Sequence, residues 1–286
     1  MRYEAPETLD AAVGLLTSES GLVKVLAGGT DVLVQLHADM VEPDLIVDIK
    51  NIAEMREVVN EDGAWRVGAA VTGKELMDHA DFNAAWPGVM DGVRLIGSVQ
   101  VRGRATVGGN LCNASPAADS VPAIIAAGAV ASVFGPGGRR EVPVEDIVTG
   151  PGRISLVDGE IVVSFQLPKR PANSGDAYLR FTPRTEMDIA VVGCGVNITL
   201  DDSGTCTDAF ANVPRRHVAR SKSSKPSPRT ATTVLPTWRT GTWSAGGLPS
   251  FGMRARRIRR PRPWRPRPLH GQTPARGCAA CALAAP

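Results

Sequence analysis

The chain has 286 residues, which is room for two or three small domains. Its net charge of +3 conceals a division, because all 29 acidic residues lie at or before Asp208 whereas 16 of the 32 Lys and Arg residues follow it. The first part therefore carries a charge of −13 and the remainder +16. No apolar run is long enough to span a membrane, the first residues do not form a signal peptide, and the five Cys residues do not indicate a disulfide framework. A cytoplasmic location is expected.

The first fifty or so residues have the pattern of a compact β-α-β unit. The strand that begins at Val23 is broken by the sequence AGGTD, Ala27 to Asp31, and Thr30 or Asp31 is the expected N-cap of the next helix. In that helix Leu33 and Leu36 are expected to point inward. The elements predicted in this part are a helix over 8–16, a strand over 23–27, a helix over 32–38 and a strand over 45–48.

The middle of the chain mixes strands and helices without regular alternation, which favours an α+β fold in two lobes. Thr72 and Glu75 match a capping box, so a helix is predicted to begin there. A further helix is expected to begin at Ser115-Pro116, with the proline in its first turn. The other predicted elements are a strand over 65–69, a helix over 84–96 interrupted at Trp86-Pro87, strands over 130–134, 141–144 and 161–167, and an antiparallel pair over 178–182 and 190–200.

Two segments with paired glycines stand out as candidate anion sites. The first is AGGTD, and the second is TVGGN, Thr106 to Asn110. Glycine permits positive φ and close approach of a ligand, and successive backbone N–H groups in such a turn suit a phosphate. Either pair alone is as consistent with an ordinary turn, and neither matches the G-x-G-x-x-G fingerprint. Together they suggest a ligand with two phosphates, such as a dinucleotide.

The order and flanks of these segments resemble a known family. AGGTD near the N-terminus is followed by TVGGN and NASPAAD, then by a strand ending in FQLP, and then by RFTPRTEMDIAVVG. This arrangement resembles the FAD-binding middle subunit of the molybdenum hydroxylases, the xanthine dehydrogenase, carbon monoxide dehydrogenase and aldehyde oxidase family, over about residues 1–208. The resemblance implies a two-lobed FAD-binding domain of the covalent-flavin-oxidase and cell-wall-reductase type. Its expected divisions are a first lobe over 1–55, a second over 56–172 and the start of a C-terminal lobe over 173–208.

The resemblance also implies roles for individual residues. The two glycine segments would hold the FAD pyrophosphate, Asp119 would bind a ribose hydroxyl, and Val162 would contact the adenine side through its backbone. Two positions depart from the family pattern: Arg180 stands where several members have a lysine near the flavin, and Ile96 where some have an aromatic ring. The expected cofactor-binding residues are Ala27, Gly28, Gly29, Thr30, Asp31, Thr106, Val107, Gly108, Gly109, Asn110, Asp119, Val162 and Arg180.

In such an enzyme, the resemblance implies, a separate large subunit oxidises the substrate at a molybdenum centre and a small subunit relays electrons through two [2Fe–2S] clusters. This chain would carry FAD and pass the electrons to NAD, a quinone or oxygen, within a heterotrimer or a dimer of heterotrimers. Two alternatives remain at this point: a truncated, non-functional homologue, and a stand-alone flavin oxidoreductase. No catalytic residue or metal cluster is predicted. His37 and His79 are expected to be surface or capping residues, and Cys112 a small buried one.

After Asp208 the sequence changes character. Hydrophobic periodicity ends and Arg, Pro, Ser and Thr dominate, as in RARRIRRPRPWRPRP. This composition predicts disorder over 209–286. Binding of nucleic acid by a basic tail and docking by a proline-rich segment are two explanations. The favoured one is out-of-frame translation, because a GC-rich gene read in a wrong frame yields much Arg, Pro, Ala and Gly and few acidic residues.

Overall fold

A computed structural model of the chain describes residues 1–184 and 188–213. The α-helices are α1 Leu9–Ser18, α2 Val32–His37, α3 Gly73–Asp78, α4 Ala80–Ala85, α5 Pro87–Arg94, α6 Val99–Arg102, α7 Val107–Cys112 and α8 Ser120–Ala126. The strands are β1 Arg2–Glu4, β2 Val23–Leu26, β3 Leu45–Asp48, β4 Val58–Glu61, β5 Ala64–Gly68, β6 Val130–Gly135, β7 Gly138–Pro143, β8 Val148–Gly150, β9 Arg153–Ile154, β10 Ile161–Leu167, β11 Ser174–Phe181, β12 Val192–Leu200 and β13 Cys206–Asn212. The mixture of helices and strands confirms the predicted α+β class.

The N-terminal part is a small parallel sheet with two helices. Strand β3 lies in the centre of the order β1-β3-β2, and it is buried along its whole length. Helix α1 begins where it was predicted, because the Thr8 hydroxyl accepts a hydrogen bond from the Ala11 N–H and caps the helix. The β2, α2 and β3 elements confirm the predicted β-α-β unit. Strand β1 was missed because three residues are too few to show a period.

A five-stranded antiparallel sheet of order β4-β5-β10-β6-β7 forms the middle of the molecule. Its central strand β10 has the predicted bounds, 161–167, and its apolar side chains join one continuous core. The predicted capping box is present at α3, where the Thr72 side chain and Glu75 side chain each bond to the other's backbone. The predicted interruption at Trp86-Pro87 is also confirmed, since α4 ends at Ala85 and Pro87 opens α5.

A third sheet, of order β11-β12-β13, packs one face on helices α5 and α8. Its first two strands are the predicted antiparallel pair. Strand β13 carries the fold four residues past Asp208, so the expectation of disorder from Ala209 is wrong for 209–212. The rest of the predicted tail lies outside the described residues.

Three local predictions were wrong. The helix expected from Ser115 begins at Ser120 instead, because Ser115 takes part in a turn that its carbonyl closes with the Ala118 N–H. The TVGGN segment is the start of helix α7 rather than a loop, since the Thr106 hydroxyl caps it through the Gly109 N–H. Leu33 does not point inward and is 44% exposed.

Among residues 1–184 and 188–213, no helix combines the length and apolar character needed to cross a membrane.

Candidate functional site

The two glycine segments face each other across one cavity of about 410 Å³. That volume lies within the usual range of small-molecule sites, about 300–1,000 Å³. Ten of the thirteen predicted cofactor-binding residues line it: Ala27, Gly28, Gly29, Thr30, Asp31, Thr106, Gly108, Gly109, Asn110 and Val162. The structure therefore brings together residues that are about eighty positions apart in the chain.

The first glycine segment connects β2 to α2. Gly29 has a φ of +77°, a conformation that other residues adopt only with strain. Gly28 is required for a different reason: a Cβ there would overlap the carbonyl group of Arg104, which precedes the second segment. The backbone N–H groups of Gly29, Thr30 and Asp31 form no hydrogen bond with any described part of the chain. They are free to bind an acceptor such as a phosphate.

The second segment contributes the start of helix α7. A Cβ on Gly108 would lie 2.5 Å from the Ala69 carbonyl oxygen, so this glycine permits close packing against the middle sheet. A Cβ on Gly109 would lie 3.1 Å from the Thr106 hydroxyl and 3.9 Å from the Ala27 Cβ, and so it would project between the two segments. Val107 is buried and does not line the cavity. The two glycines of this pair thus face different neighbours.

Asp119 and Arg180 do not line the cavity; they form an ion pair beside it, in which Asp119 is buried and Arg180 partly buried. The Arg180 Nη1 donates to Asp119 Oδ2 at 2.7 Å, and the Tyr178 hydroxyl donates to Asp119 Oδ1 at 2.9 Å. Burial raises the pKa of Asp119, although the bonds from Tyr178 and Arg180 oppose that shift. Burial and the Asp119 charge also raise the pKa of Tyr178. The family resemblance assigned Asp119 and Arg180 to the cofactor site, and the sequence could not show that they pair.

Two contacts connect this ion pair to the cavity wall. The Arg180 Nη1 also donates to the Leu95 carbonyl at 3.2 Å, and Leu95 precedes the lining residue Ile96. The Ser120 hydroxyl, next to Asp119 in the chain, donates to the Asn110 side chain at 2.7 Å. One residue therefore separates the ion pair from the cavity wall at each end: Leu95 next to Arg180, and Ser120 next to Asp119.

Several lining residues were not singled out from the sequence. Lys24 on β2 brings a positive charge to the wall, and Glu160 a negative one. Glu160 is engaged by Arg140 at 2.7 Å, and that bond lowers its pKa. The position of Lys24 in the strand before AGGTD could have indicated its place in the wall. Nothing in the sequence indicated Glu160, which lies more than one hundred residues after AGGTD.

The three other candidates noted in the sequence have unremarkable surroundings. His79 caps α4 through its Nδ1, as expected, and His37 ends α2 in an exposed position. Cys112 is half-buried and lines the cavity, and burial raises the pKa of its thiol to about 12. At neutral pH this thiol is therefore protonated and a poor nucleophile.

Residues 1–170 match the sequence model of a family described as the FAD binding domain in molybdopterin dehydrogenase. The putative xanthine dehydrogenase FAD-binding subunit of Escherichia coli K12 is 38% identical over 202 residues, 70% of this chain and 69% of that protein. The carbon monoxide dehydrogenase medium chain of Hydrogenophaga pseudoflava is 31% identical over 194 residues, 68% of this chain and 67% of that one. A solved structure of carbon monoxide dehydrogenase from the same organism superposes with a TM-score of 0.71 at 29% identity, covering 75% of this chain and 74% of that chain.

The chain belongs to the FAD-binding subunits of the molybdenum hydroxylases, as the resemblance implied. FAD is the cofactor of this domain, and the chain is an oxidoreductase component. The residues present fit such a ligand, because a lysine and N–H groups that bond to no described residue line the same cavity.

Proposed function

We propose that this chain is the electron-transfer subunit of a molybdenum-containing dehydrogenase. When bound, FAD would supply the redox chemistry, taking electrons that arrive through [2Fe–2S] clusters and giving them to an external acceptor such as NAD, a quinone or oxygen. The observation that carries the proposal is the pairing of two glycine segments across one cavity. The first segment has backbone N–H groups that donate to no acceptor in residues 1–184 or 188–213.

The glycine segments are proposed to bind the pyrophosphate. The N–H groups of Gly29, Thr30 and Asp31 would donate to phosphate oxygens, and the Thr30 hydroxyl would add another donor. Lys24 would offset part of the negative charge from the neighbouring strand. On the opposite wall the start of α7 presents Gly108 and Gly109, and the lack of a side chain at Gly109 leaves room for the ligand.

Asp119, Arg180 and Val162 are proposed to serve the rest of the ligand. Each oxygen of a carboxylate has two acceptor sites, so Asp119 can hold Tyr178 and Arg180 and still accept a bond from a ribose hydroxyl. Arg180 would keep a positive charge near the flavin, held in place by Asp119 and the Leu95 carbonyl. Val162 lines the cavity from β10, where its backbone would contact the adenine side.

The proposed partners are a small subunit with two [2Fe–2S] clusters and a large molybdenum-cofactor subunit, assembled as a heterotrimer or a dimer of heterotrimers. Support comes from the relatives, which carry the names subunit and medium chain of xanthine, nicotinate and carbon monoxide dehydrogenases. The substrate of the whole enzyme would be fixed by the large subunit.

Flavin content of the purified full chain tests the proposal. Wild-type protein should show visible flavin absorbance, whereas Gly109→Val should lose it, because the added side chain projects between the two segments. Gly137→Val is a matched control, since a Cβ at Gly137 would meet no atom within 4 Å. Folded wild-type protein without affinity for FAD, or a Gly109→Val protein with full flavin content, would contradict it.

A further inference from the structure

Three side chains outside the cavity lining form a series of hydrogen bonds that ends on the first glycine segment. The Tyr3 hydroxyl on β1 donates to Asp48 Oδ2 at 2.5 Å, and the Lys50 ammonium group donates to the same oxygen at 2.6 Å. The Lys50 Nζ also donates to the Ala27 carbonyl at 3.1 Å. Tyr3, Asp48 and Lys50 do not line the cavity, and sequence reasoning singled out none of them.

Asp48 holds the Lys50 ammonium group in one place. The Asp48 side chain is only 7% exposed, and its Oδ1 accepts the Lys50 backbone N–H at 3.0 Å. Burial would raise the pKa of Asp48, but the hydrogen bonds from Lys50 and Tyr3 outweigh it and lower the pKa. Asp48 is therefore an anion at neutral pH, and its two oxygens hold the backbone N–H and the ammonium group of Lys50.

The contact with Ala27 determines how the next peptide group is oriented. In a planar trans peptide the C=O and N–H point in opposite directions, so the Ala27 carbonyl and the Gly28 N–H are coupled. Gly28 tolerates a wide range of φ, which makes rotation of this peptide plane inexpensive. Rotation would turn the Ala27 carbonyl away from Lys50 and exchange it with the N–H. A carbonyl oxygen facing a phosphate would repel it.

We infer that Lys50 is a positioning residue for the diphosphate group of the ligand. By holding the Ala27 carbonyl it keeps the Gly28 N–H pointing away from Lys50 and the first glycine segment in its donor orientation. Asp48 and Tyr3 act through Lys50. The inference rests on the proposed role of this segment in binding the FAD pyrophosphate.

The test uses the full chain and the dissociation constant of FAD, followed by quenching of flavin fluorescence. Lys50→Met keeps the aliphatic stem and removes the charge, so the affinity should fall about tenfold, the effect of losing one well-placed hydrogen bond. Lys50→Arg should recover part of it. Lys74→Met is the matched control, because Lys74 forms an exposed ion pair with Asp78 on α3 and does not line the cavity.

Two further readouts separate positioning from a general loss of structure. Riboflavin has the flavin ring and no phosphate, so its affinity should be the same in wild type and Lys50→Met. The phosphorus NMR signals of bound FAD should shift in Lys50→Met, while the visible flavin spectrum stays unchanged. Equal losses of affinity for FAD and riboflavin, or unchanged affinity for FAD, would overturn the inference.

A second variant covers the case in which Lys50→Met does not fold. Tyr3 is 57% exposed, so Tyr3→Phe removes only the hydroxyl that orients Asp48. Tyr3→Phe should weaken FAD binding about two- to fivefold, a smaller loss than removal of one full hydrogen bond would give, because Tyr3 acts only through Asp48. Its affinity for riboflavin should be unaffected. An unchanged FAD affinity in this variant would then overturn the inference. Failure of the proposed function is distinguishable, because wild type itself would not bind FAD.

Discussion

At the residue scale, the glycines of the two segments have different physical roles. Gly28 lies against the Arg104 backbone, which cannot move aside as a side chain can. Gly109 faces a hydroxyl and a methyl group across a small gap, so a methyl group fits there with a shift of a few tenths of an ångström. We therefore propose that Gly28 is needed for the fold and Gly109 for the ligand.

This difference gives a prediction for alanine variants. Gly28→Ala should lower the free energy of unfolding of the apoprotein by about 1–3 kcal/mol, the usual cost of overpacking. Gly109→Ala should leave unfolding nearly unchanged and weaken FAD binding. Denaturant unfolding without FAD and FAD titration measure the two effects. Equal stability of the two apoproteins would contradict the assignment of roles.

The ion pair of Asp119 and Arg180 has a matched counterpart away from the cavity. Asp176 is paired with Arg170 at 2.9 Å, and burial raises the pKa of both aspartates. Neither Asp176 nor Arg170 lines the cavity. Asp176 instead accepts the Val89 N–H and so connects β11 to the start of α5.

Asparagine variants of Asp119 and Asp176 should therefore lose similar stability and differ only in their affinity for FAD. Asp119→Asn and Asp176→Asn should each destabilise the protein by roughly 1.5–3 kcal/mol, the value of a bond to a charged group. Asp119→Asn alone should also weaken FAD binding, about ten- to a hundredfold. Unchanged flavin affinity in Asp119→Asn would remove the proposed ribose contact.

At the element scale, the start of α7 depends on its cap. The Thr106 hydroxyl accepts the Gly109 N–H at 2.9 Å, and Thr8 caps α1 in the same way through Ala11. A capped helix start is unexpected in a segment with two glycines, which weaken helices by about 1 kcal/mol each. Packing of Gly108 against Ala69 and the cap together account for it.

Loss of either cap should cost about 0.5–2 kcal/mol of stability. We expect Thr106→Val and Thr8→Val to be destabilised alike, but only Thr106→Val to lose FAD affinity, because α7 forms a wall of the cavity. Thr106→Ser should restore both properties. Thermal unfolding and flavin titration of the three proteins measure this, and normal FAD binding by Thr106→Val would argue against a role for the α7 start.

At the scale of the whole molecule, the outward face of the third sheet is apolar. The register pairs Phe181 with Val192, Leu179 with Cys194 and Ala177 with Val196 on that face. Leu179 is 76% exposed and Phe181 62%. A soluble subunit ordinarily covers a patch of this kind, so the isolated chain is expected to aggregate.

The same face bears on the proposal that the chain after Asp208 is an out-of-frame product. Translation of the underlying DNA in the other two frames, beginning near codon 209, should restore acidic residues, amphipathic helices and apolar segments able to cover the sheet. If neither frame does so, the basic tail is genuine and the proposal fails. Under the proposal, the frame shift lies a few codons after Asp208, the point that composition indicated, because β13 extends to Asn212.

The sequence by itself determined part of the local structure and the class of protein. The capping box at Thr72, the strand 161–167 and the two glycine pairs were visible because each depends on neighbouring residues. Order and flanks of those pairs were enough to identify the family and FAD. Short elements such as β1 and α6 were not visible, because three or four residues show no period.

Only the tertiary structure decided which atoms each residue meets. It turned Gly28 toward Arg104 and Gly109 toward the cavity, joined Asp119 to Arg180, and brought Lys50 to the Ala27 carbonyl. These contacts join residues 23 to 76 positions apart. Such distances follow from how strands and helices pack, and residue types along the chain do not encode them directly.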